Sequence, residues 1–483
     1  MSLPREPRLT FDPRDPRGLR GTAPLLDAWL SFGERTPLPF TIPGHKQRTD
    51  LVGEVVRDDV PLYGGLDTVK LGAGLLAQAE ARAARLWGAD HCRFSVGGST
   101  HGNQALALAV GAPGDRVIVQ RTLHRSTLLG LVLAGLVPVW VAPELDERTG
   151  MPLGVRPSDV AHTLEEFPDC KAVFVTEPSY VGTVGDVRAV AEVAHAHGVP
   201  LIVDAAWAAH FGFHPDLPQH AIALGADALV TSAHKTLPAW SQAALVLWRD
   251  GRLDAARVDA AFEATHTTSP AGAILASTDA AVALLEREGE VMLAGLIDAV
   301  ARARLRLRLI EGLEVLHGPA VDPVKLVLLL AGTGADGNLV EAGLIERGMP
   351  VEMADRDTIV AMATLADDDA ALIAFTDAVS DLVEAGRGAP RQGVPTAAWA
   401  VQPEMACPPR DAFFAAREVV PLADALGRVS AELIAPYPPG VPVIAPGEIV
   451  TESVLTAITT ARTFGVRIAY AADPTGLTIQ VLA

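Results

Sequence analysis

From about Leu75 the chain alternates between two hydrophobic periods. LLAQAEARAARLWG repeats with helical spacing and stops at Gly88, which predicts a helix. CRFSV then predicts a short strand, GGSTHGN a turn, and QALALAV a helix. The same alternation continues through RVIVQ, a helix from about Ser126, VPVWVA, SDVAHTLEEF, KAVFVTEP, VRAVAEVAHAHG and VPLIVDAA. ADALVTSAHK and QAALVLW read as two further strands. Strands that are apolar throughout, separated by amphipathic helices, predict an α/β fold with a mostly parallel sheet covered on both faces.

Changes in this pattern suggest boundaries. Residues 1–45 hold eight prolines and read as an irregular arm laid across another surface. A large domain follows over 46–312, closed by a long helical stretch from about residue 271. Residues 313–385 read as a small α+β domain, 386–407 as a Pro/Gly-rich linker and 408–483 as a C-terminal domain.

Composition narrows the function. The net charge is −19, a surface that repels nucleic acid and anionic membrane. Cys92, Cys170 and Cys407 form no CxxC pair, so neither a disulfide framework nor a zinc site is expected, and no metal is assigned. The N-terminus, MSLPREPRLTFDPRDPRGLR, has no apolar core of a signal peptide, and no membrane-length apolar run occurs. The chain reads as cytoplasmic.

Four features fall at the C-terminal ends of expected strands, where open α/β sheets place ligands. SVGGSTHGN (95–103) offers a tight turn, the hydroxyls of Ser99 and Thr100, and a helix N-terminus, which suits a phosphate; a plain helix cap reads equally from these residues. Asp204 ends an apolar strand, where burial of an unpartnered carboxylate is costly; a turn cap is the simpler alternative. Lys235, in TSAHK, follows another apolar run, and a desolvated lysine is nucleophilic toward carbonyls; a lysine reaching to the surface is the alternative. His124, in QRTLHRS, follows the RVIVQ strand and is within reach of the same cleft, or is structural.

The combination is more specific than its parts. A phosphate cradle, a His, a strand-end Asp and a Lys some thirty residues later are the inventory that pyridoxal 5′-phosphate requires. Several longer stretches carry a resemblance: IPGHK, GLDTVK, SVGGSTHGN, PGDRVIVQRTLHRS, EPSYVGTVGDV, VDAAWAAHFGFHPDLP, GADALVTSAHKTLPAWSQAA, HTTSPAGAILASTD and YPPGVPVIAPGE. From about Pro39 to Glu452 the chain resembles the Orn/Lys/Arg decarboxylases, fold type I (aspartate aminotransferase-like) pyridoxal phosphate enzymes, in their shorter bacterial form without a receiver-like domain before the arm.

The resemblance implies a role for each position. Lys235 is the Schiff-base lysine, Asp204 the partner of the pyridine nitrogen, and His124 the residue stacked on the cofactor ring. Ser99, Thr100, Ser232 and His234 hold the phosphate, and Trp207 flanks the ring. Thr267, Thr268 and Ser269 lie in a loop near the partner subunit's site, and the arm ends at His45 and Lys46 beside a homodimer, or larger homo-oligomer, interface. Departures from the family pattern fall at Gly98, Thr122, Arg125, Ala205, Trp207 and the GLDTVK segment. These bear on the substrate more than on the cofactor.

The implied reaction is decarboxylation of a basic L-amino acid, arginine first, to its amine and carbon dioxide. Asp67, Glu177 and Glu448 are the candidate acids for a cationic side chain. Another pyridoxal phosphate reaction, transamination or oxidative deamination, stays open, with Arg356 as the candidate carboxylate clamp. A non-catalytic regulator is the reading from a different class, and the presence of Lys235, Asp204 and His124 argues against it.

Overall fold

The computed structural model describes residues 12–35, 42–56, 59–60, 74–391, 401–437 and 441–483. The GLDTVK segment, with Asp67, lies outside them, as does Thr41.

Seven strands form the large sheet: β1 (His91–Ser95), β2 (Arg116–Gln120), β3 (Val137–Val141), β4 (Val173–Thr176), β5 (Leu201–Asp204), β6 (Ala228–Thr231) and β7 (Ala244–Trp248). Their order is β1-β7-β6-β5-β4-β2-β3. β7 runs antiparallel to both neighbours, while β6, β5, β4, β2 and β3 are parallel. β5, β6 and β7 are buried along their whole length, which explains why their sequences show no alternation. Because β7 is reversed, β1 again points the same way as β6. The ends of β1, β2, β4, β5 and β6 therefore open on one edge of the sheet.

Two expectations need correction. Residues 1–45 are not irregular throughout, because Pro24–Arg35 is a helix with a proline as its first residue. Proline is tolerated there since the first turn needs no N–H partner. Leu26 and Leu30 of this helix pack with Ala283 and Leu284 of the long helix Gly272–Leu307. The Leu25 N–H donates to Asp279 Oδ2 at 2.8 Å, and Arg82 Nη2 donates to Asp279 Oδ1 at 2.6 Å. The second correction concerns ADALVTSAHK. Its strand ends at Thr231, and His234 and Lys235 lie on the short helix Ala233–Thr236.

A second sheet holds β8 (Glu314–Val315), β9 (Lys325–Leu329), β10 (Met353–Ala354) and β11 (Thr358–Met362) in the order β10-β11-β9-β8, antiparallel throughout. Toward the C-terminus β12 (Arg417–Pro421) pairs with β15 (Thr478–Leu482), and β13 (Ala435–Tyr437) with β14 (Arg467–Ala469). With the helix Glu452–Thr463 they enclose a separate core around Val443, Ile444, Ile458 and Val481. Among the described residues no helix is long and apolar enough to cross a membrane.

Candidate active site

The loop after β1 turns through Gly98, whose φ of +67° is the left-handed conformation open to glycine. The helix Gly98–Val110 starts there with no side-chain cap. Its first turn carries Ser99, buried, and Thr100, exposed. Ser99 Oγ and Ser232 Oγ share a hydrogen bond of 2.7 Å. His234 comes to the same turn: its Cε1 lies 4.0 Å from the position a Cβ on Gly98 would take. Its Nδ1 bonds to the Ala243 carbonyl at 2.8 Å. Ser99, Thr100, Ser232 and His234, spread over more than 130 residues of sequence, thus meet at one helix N-terminus.

Asp204 ends β5 with 5 % of its surface exposed. It is not alone. Asn103, one turn beyond Ser99, donates from Nδ2 to Asp204 Oδ2 at 2.7 Å and to Ser126 Oγ at 2.9 Å. The Ala206 N–H donates to Asp204 Oδ1 at 3.2 Å. These donors hold the carboxylate in place.

His124 caps the helix Arg125–Ala134. Its Nδ1 accepts from the Ser126 N–H at 3.2 Å and bonds to Ser126 Oγ at 2.8 Å. An accepting Nδ1 leaves the ring proton on Nε2. The ring is open to the cleft, yet the protein crowded around it lowers its pKa. The Asp204 charge opposes that shift, and Lys235 and Arg125 add to it. Desolvation likewise lowers the pKa of Lys235, against the pull of Asp204 and Glu352.

Lys235 Nζ rests 3.7 Å from the centre of the Trp207 ring. Trp207 is 7 % exposed and meets the edge of Tyr180 at 5.1 Å. The Tyr180 hydroxyl donates to Glu352 Oε1 at 2.8 Å. Lys325 Nζ lies 3.8 Å from the same indole centre.

Sequence reasoning missed Asn103, Glu352 and Lys325. Asn103 had a signal, as a polar residue opening the apolar run QALALAV. Lys325 opens the apolar run LVLLL and carried the same signal that singled out Lys235. Nothing local marked Glu352, because its proximity to Lys235 is a matter of packing.

Other candidates fall away from this cluster. Glu448 is fully buried and grips Arg121, which also donates to the carbonyls of Pro442 and Val443 at 3.2 Å each, so it is an internal ion pair. Glu177 is buried with its Oε1 against Gly154 and Gly185, and burial pushes its pKa up to about 8. Protonated at neutral pH, it offers no charge to a cationic ligand. Arg356 is held by Asp357 at 2.5 Å and lies 4.3 Å over the Phe464 ring, which leaves no free clamp for a carboxylate. Thr267 and Ser269, with Gly97, His101 and Gln242, line a cavity of about 390 Å³. His45 pairs with Asp59 at 3.1 Å.

Comparison with known proteins gives the family. Residues 23–318 match the family model described as Orn/Lys/Arg decarboxylase, major domain, and 393–468 match its C-terminal domain. An arginine decarboxylase of Halalkalibacterium halodurans is 32% identical, over 95% of this chain and 97% of its own. One from Bacillus subtilis is 33% identical, over 90% of this chain and 92% of its own. The solved lysine decarboxylase LdcF of Francisella novicida shares the fold, with a TM-score of 0.81 at 21% identity, covering 95% of this chain and 81% of its own. The chain belongs to the Orn/Lys/Arg decarboxylase family of enzymes.

Proposed function

We propose that the protein uses pyridoxal 5′-phosphate to remove the α-carboxylate of arginine as carbon dioxide, leaving agmatine. Lysine and ornithine complete the substrate class. The observation that carries this reading is the convergence of Lys235, Asp204 and His124 on one cleft, with Ser99 and Ser232 at an uncapped helix N-terminus on its rim. The relatives named arginine decarboxylases favour arginine within the class.

The residues present fit the cofactor. An uncapped helix start with two adjacent hydroxyls and His234 suits a phosphate. Lys235, largely desolvated and with its pKa lowered, is the amine that would hold the aldehyde carbon covalently. Asp204, fixed by Asn103, would face the ring nitrogen, and Trp207 and His124 would flank the ring. When bound, the cofactor supplies an electron sink for the pair left behind by the carboxylate.

The chain's own residues do the rest. Asp204 holds a negative charge where a protonated nitrogen is needed, and Asn103 keeps it oriented. His124, neutral and with its proton on Nε2, stays uncharged beside the reacting centre. Desolvation lowers the pKa of Lys235, which makes Nζ a readier proton donor to Cα after the carboxylate leaves. Glu352 is the second carboxylate whose charge reaches Lys235, and we assign it the cationic end of the substrate. The same reading makes the protein a cytoplasmic homodimer, or larger homo-oligomer, with the partner subunit at the cleft. Its three free cysteines suit a reducing compartment.

The test is carbon dioxide release from arginine, lysine and ornithine in parallel, for wild type and Lys235→Ala. Release from one of them, abolished in the variant, is the expected outcome. No release from any of the three by protein saturated with the cofactor would sink the reading.

A further inference from the structure

Lys325 reaches the cleft from the small sheet. It opens β9, and it is 3 % exposed. Its stem lies along the backbone of Gly182, where a Cβ would come within 3.2 Å of it. Arg304 donates to its carbonyl at 2.6 Å and fixes the strand start. Its Nζ ends 3.8 Å from the centre of Trp207, the ring that Lys235 Nζ approaches to 3.7 Å. The Tyr180 ring lies 5.5 Å away. Among the described residues Lys325 Nζ has no hydrogen-bond acceptor. Asp322 and Glu352 are the carboxylates whose charge reaches it, Lys235 is the opposing cation, and His210 lies beyond Asp322. Burial dominates these influences and holds its pKa down to about 7.

A buried ammonium with no acceptor is expensive, and a methionine of similar volume would serve the packing better. A fixed amine with no acceptor of its own among the described residues, set against the same indole as the reactive lysine, is what an anion taken into the site needs. The substrate brings one such anion. Its α-amine must reach Lys235, and its carboxylate is attached one carbon away. We propose that Lys325 receives the α-carboxylate of the amino-acid substrate and so separates the amino acid from its amine product. The proposal rests on the decarboxylase reading above and deepens it. Lys325 and Glu352 then address opposite ends of one zwitterionic molecule.

The contact belongs to the ground state, because its charge departs with the carbon dioxide. Removing it raises KM and leaves kcat unchanged or higher. Once the carboxylate is gone Lys325 is unpaired again, which favours release of the amine.

The experiment compares two inhibitors of the loaded wild type and Lys325→Met. The first, 5-guanidinopentanoate, keeps the carboxylate and lacks the α-amine; the second, agmatine, keeps the amine and lacks the carboxylate. If lysine proves to be the substrate, the pair becomes 6-aminohexanoate and cadaverine. The expected result is a roughly tenfold to hundredfold loss of affinity for the acid, with the amine changed by less than about twofold. Titrating the cofactor into both proteins checks that the variant folds, and Lys325→Gln is the second variant if it does not. Equal changes for acid and amine, or a fall in kcat at constant KM, would overturn the assignment while wild-type carbon dioxide release keeps the decarboxylase reading. Absence of that release overturns both.

Discussion

Arg121 and Glu448 offer a perturbation whose size follows from the structure. They are 327 residues apart in sequence, and both side chains are fully buried. Arg121 Nη2 donates to Glu448 Oε2 at 2.9 Å, and Nη1 grips the other oxygen. The guanidinium also lies 4.8 Å over the Trp140 ring. Arg121→Met removes these bonds and leaves Glu448 with the Ala445 N–H, which donates at 2.7 Å. Breaking one side of a buried pair typically costs about 3–5 kcal/mol. The loss has a ceiling near the middle of that range. A stranded carboxyl can take up a proton instead, and for an ordinary glutamate at pH 7 that costs about 3.7 kcal/mol. Because the pair ties the C-terminal region to the loop after β2, the loss falls on that junction. The assay is thermal and urea unfolding followed by tryptophan fluorescence, with Trp140 as the local reporter. The single variant should melt roughly 3–4 °C lower. Arg121→Met with Glu448→Leu should recover most of that loss, since no charge is left stranded. A single variant that loses less than about 1 kcal/mol, or a double variant no better than the single, would refute the reasoning.

Burial raises the carboxyl of Glu177 from its ordinary 4.5 to about 8, so the folded state binds its proton more tightly than the unfolded state. Its contribution to stability is therefore fully present below pH 4.5 and lost as the pH rises through 8. Glu177→Gln mimics the protonated form and removes this dependence, so its melting temperature relative to wild type should climb between pH 5 and 8 and level off above; a constant difference would contradict it. Asn103→Leu should lower kcat roughly tenfold or more with the fold intact, by releasing Asp204 from its strongest donor; cofactor absorbance and steady-state kinetics measure it. Ser99→Ala and Ser232→Ala should each weaken cofactor binding roughly tenfold, measured by dialysis and reconstitution, and together by less than the product, because the two hydroxyls share one bond. Glu352→Gln should raise KM for the basic amino acid more than it lowers kcat.

Much of this protein was legible in one dimension. The large sheet could be read because β5, β6 and β7 are apolar from end to end, and such runs have few other places to go. Asp204 and Lys235 stood out because a charge that closes an apolar run is costly unless something uses it. Glycine, serine and threonine after β1 marked the turn into a helix. Each of these signals lies within a few residues of what it predicts.

Tertiary structure decided what those signals could not carry. Asn103 became part of the site only when its helix crossed β5, a hundred residues on. Glu448 looked like a free acid until folding buried it against Arg121, and Glu177 was removed from the candidates by the glycine slot that keeps it protonated. Pro24, a breaker by composition, sits where a helix tolerates it, and packing on Gly272–Leu307 supplied the reason to be helical. Lys325 shows the division most plainly: its cost is local, a charge at the edge of an apolar strand, but its neighbours Trp207 and Lys235 come from the segments that follow β5 and β6 of the large sheet. The price of burying a charge is set by the residue itself, whereas the partner that offsets it is chosen by which strands the packing brings together.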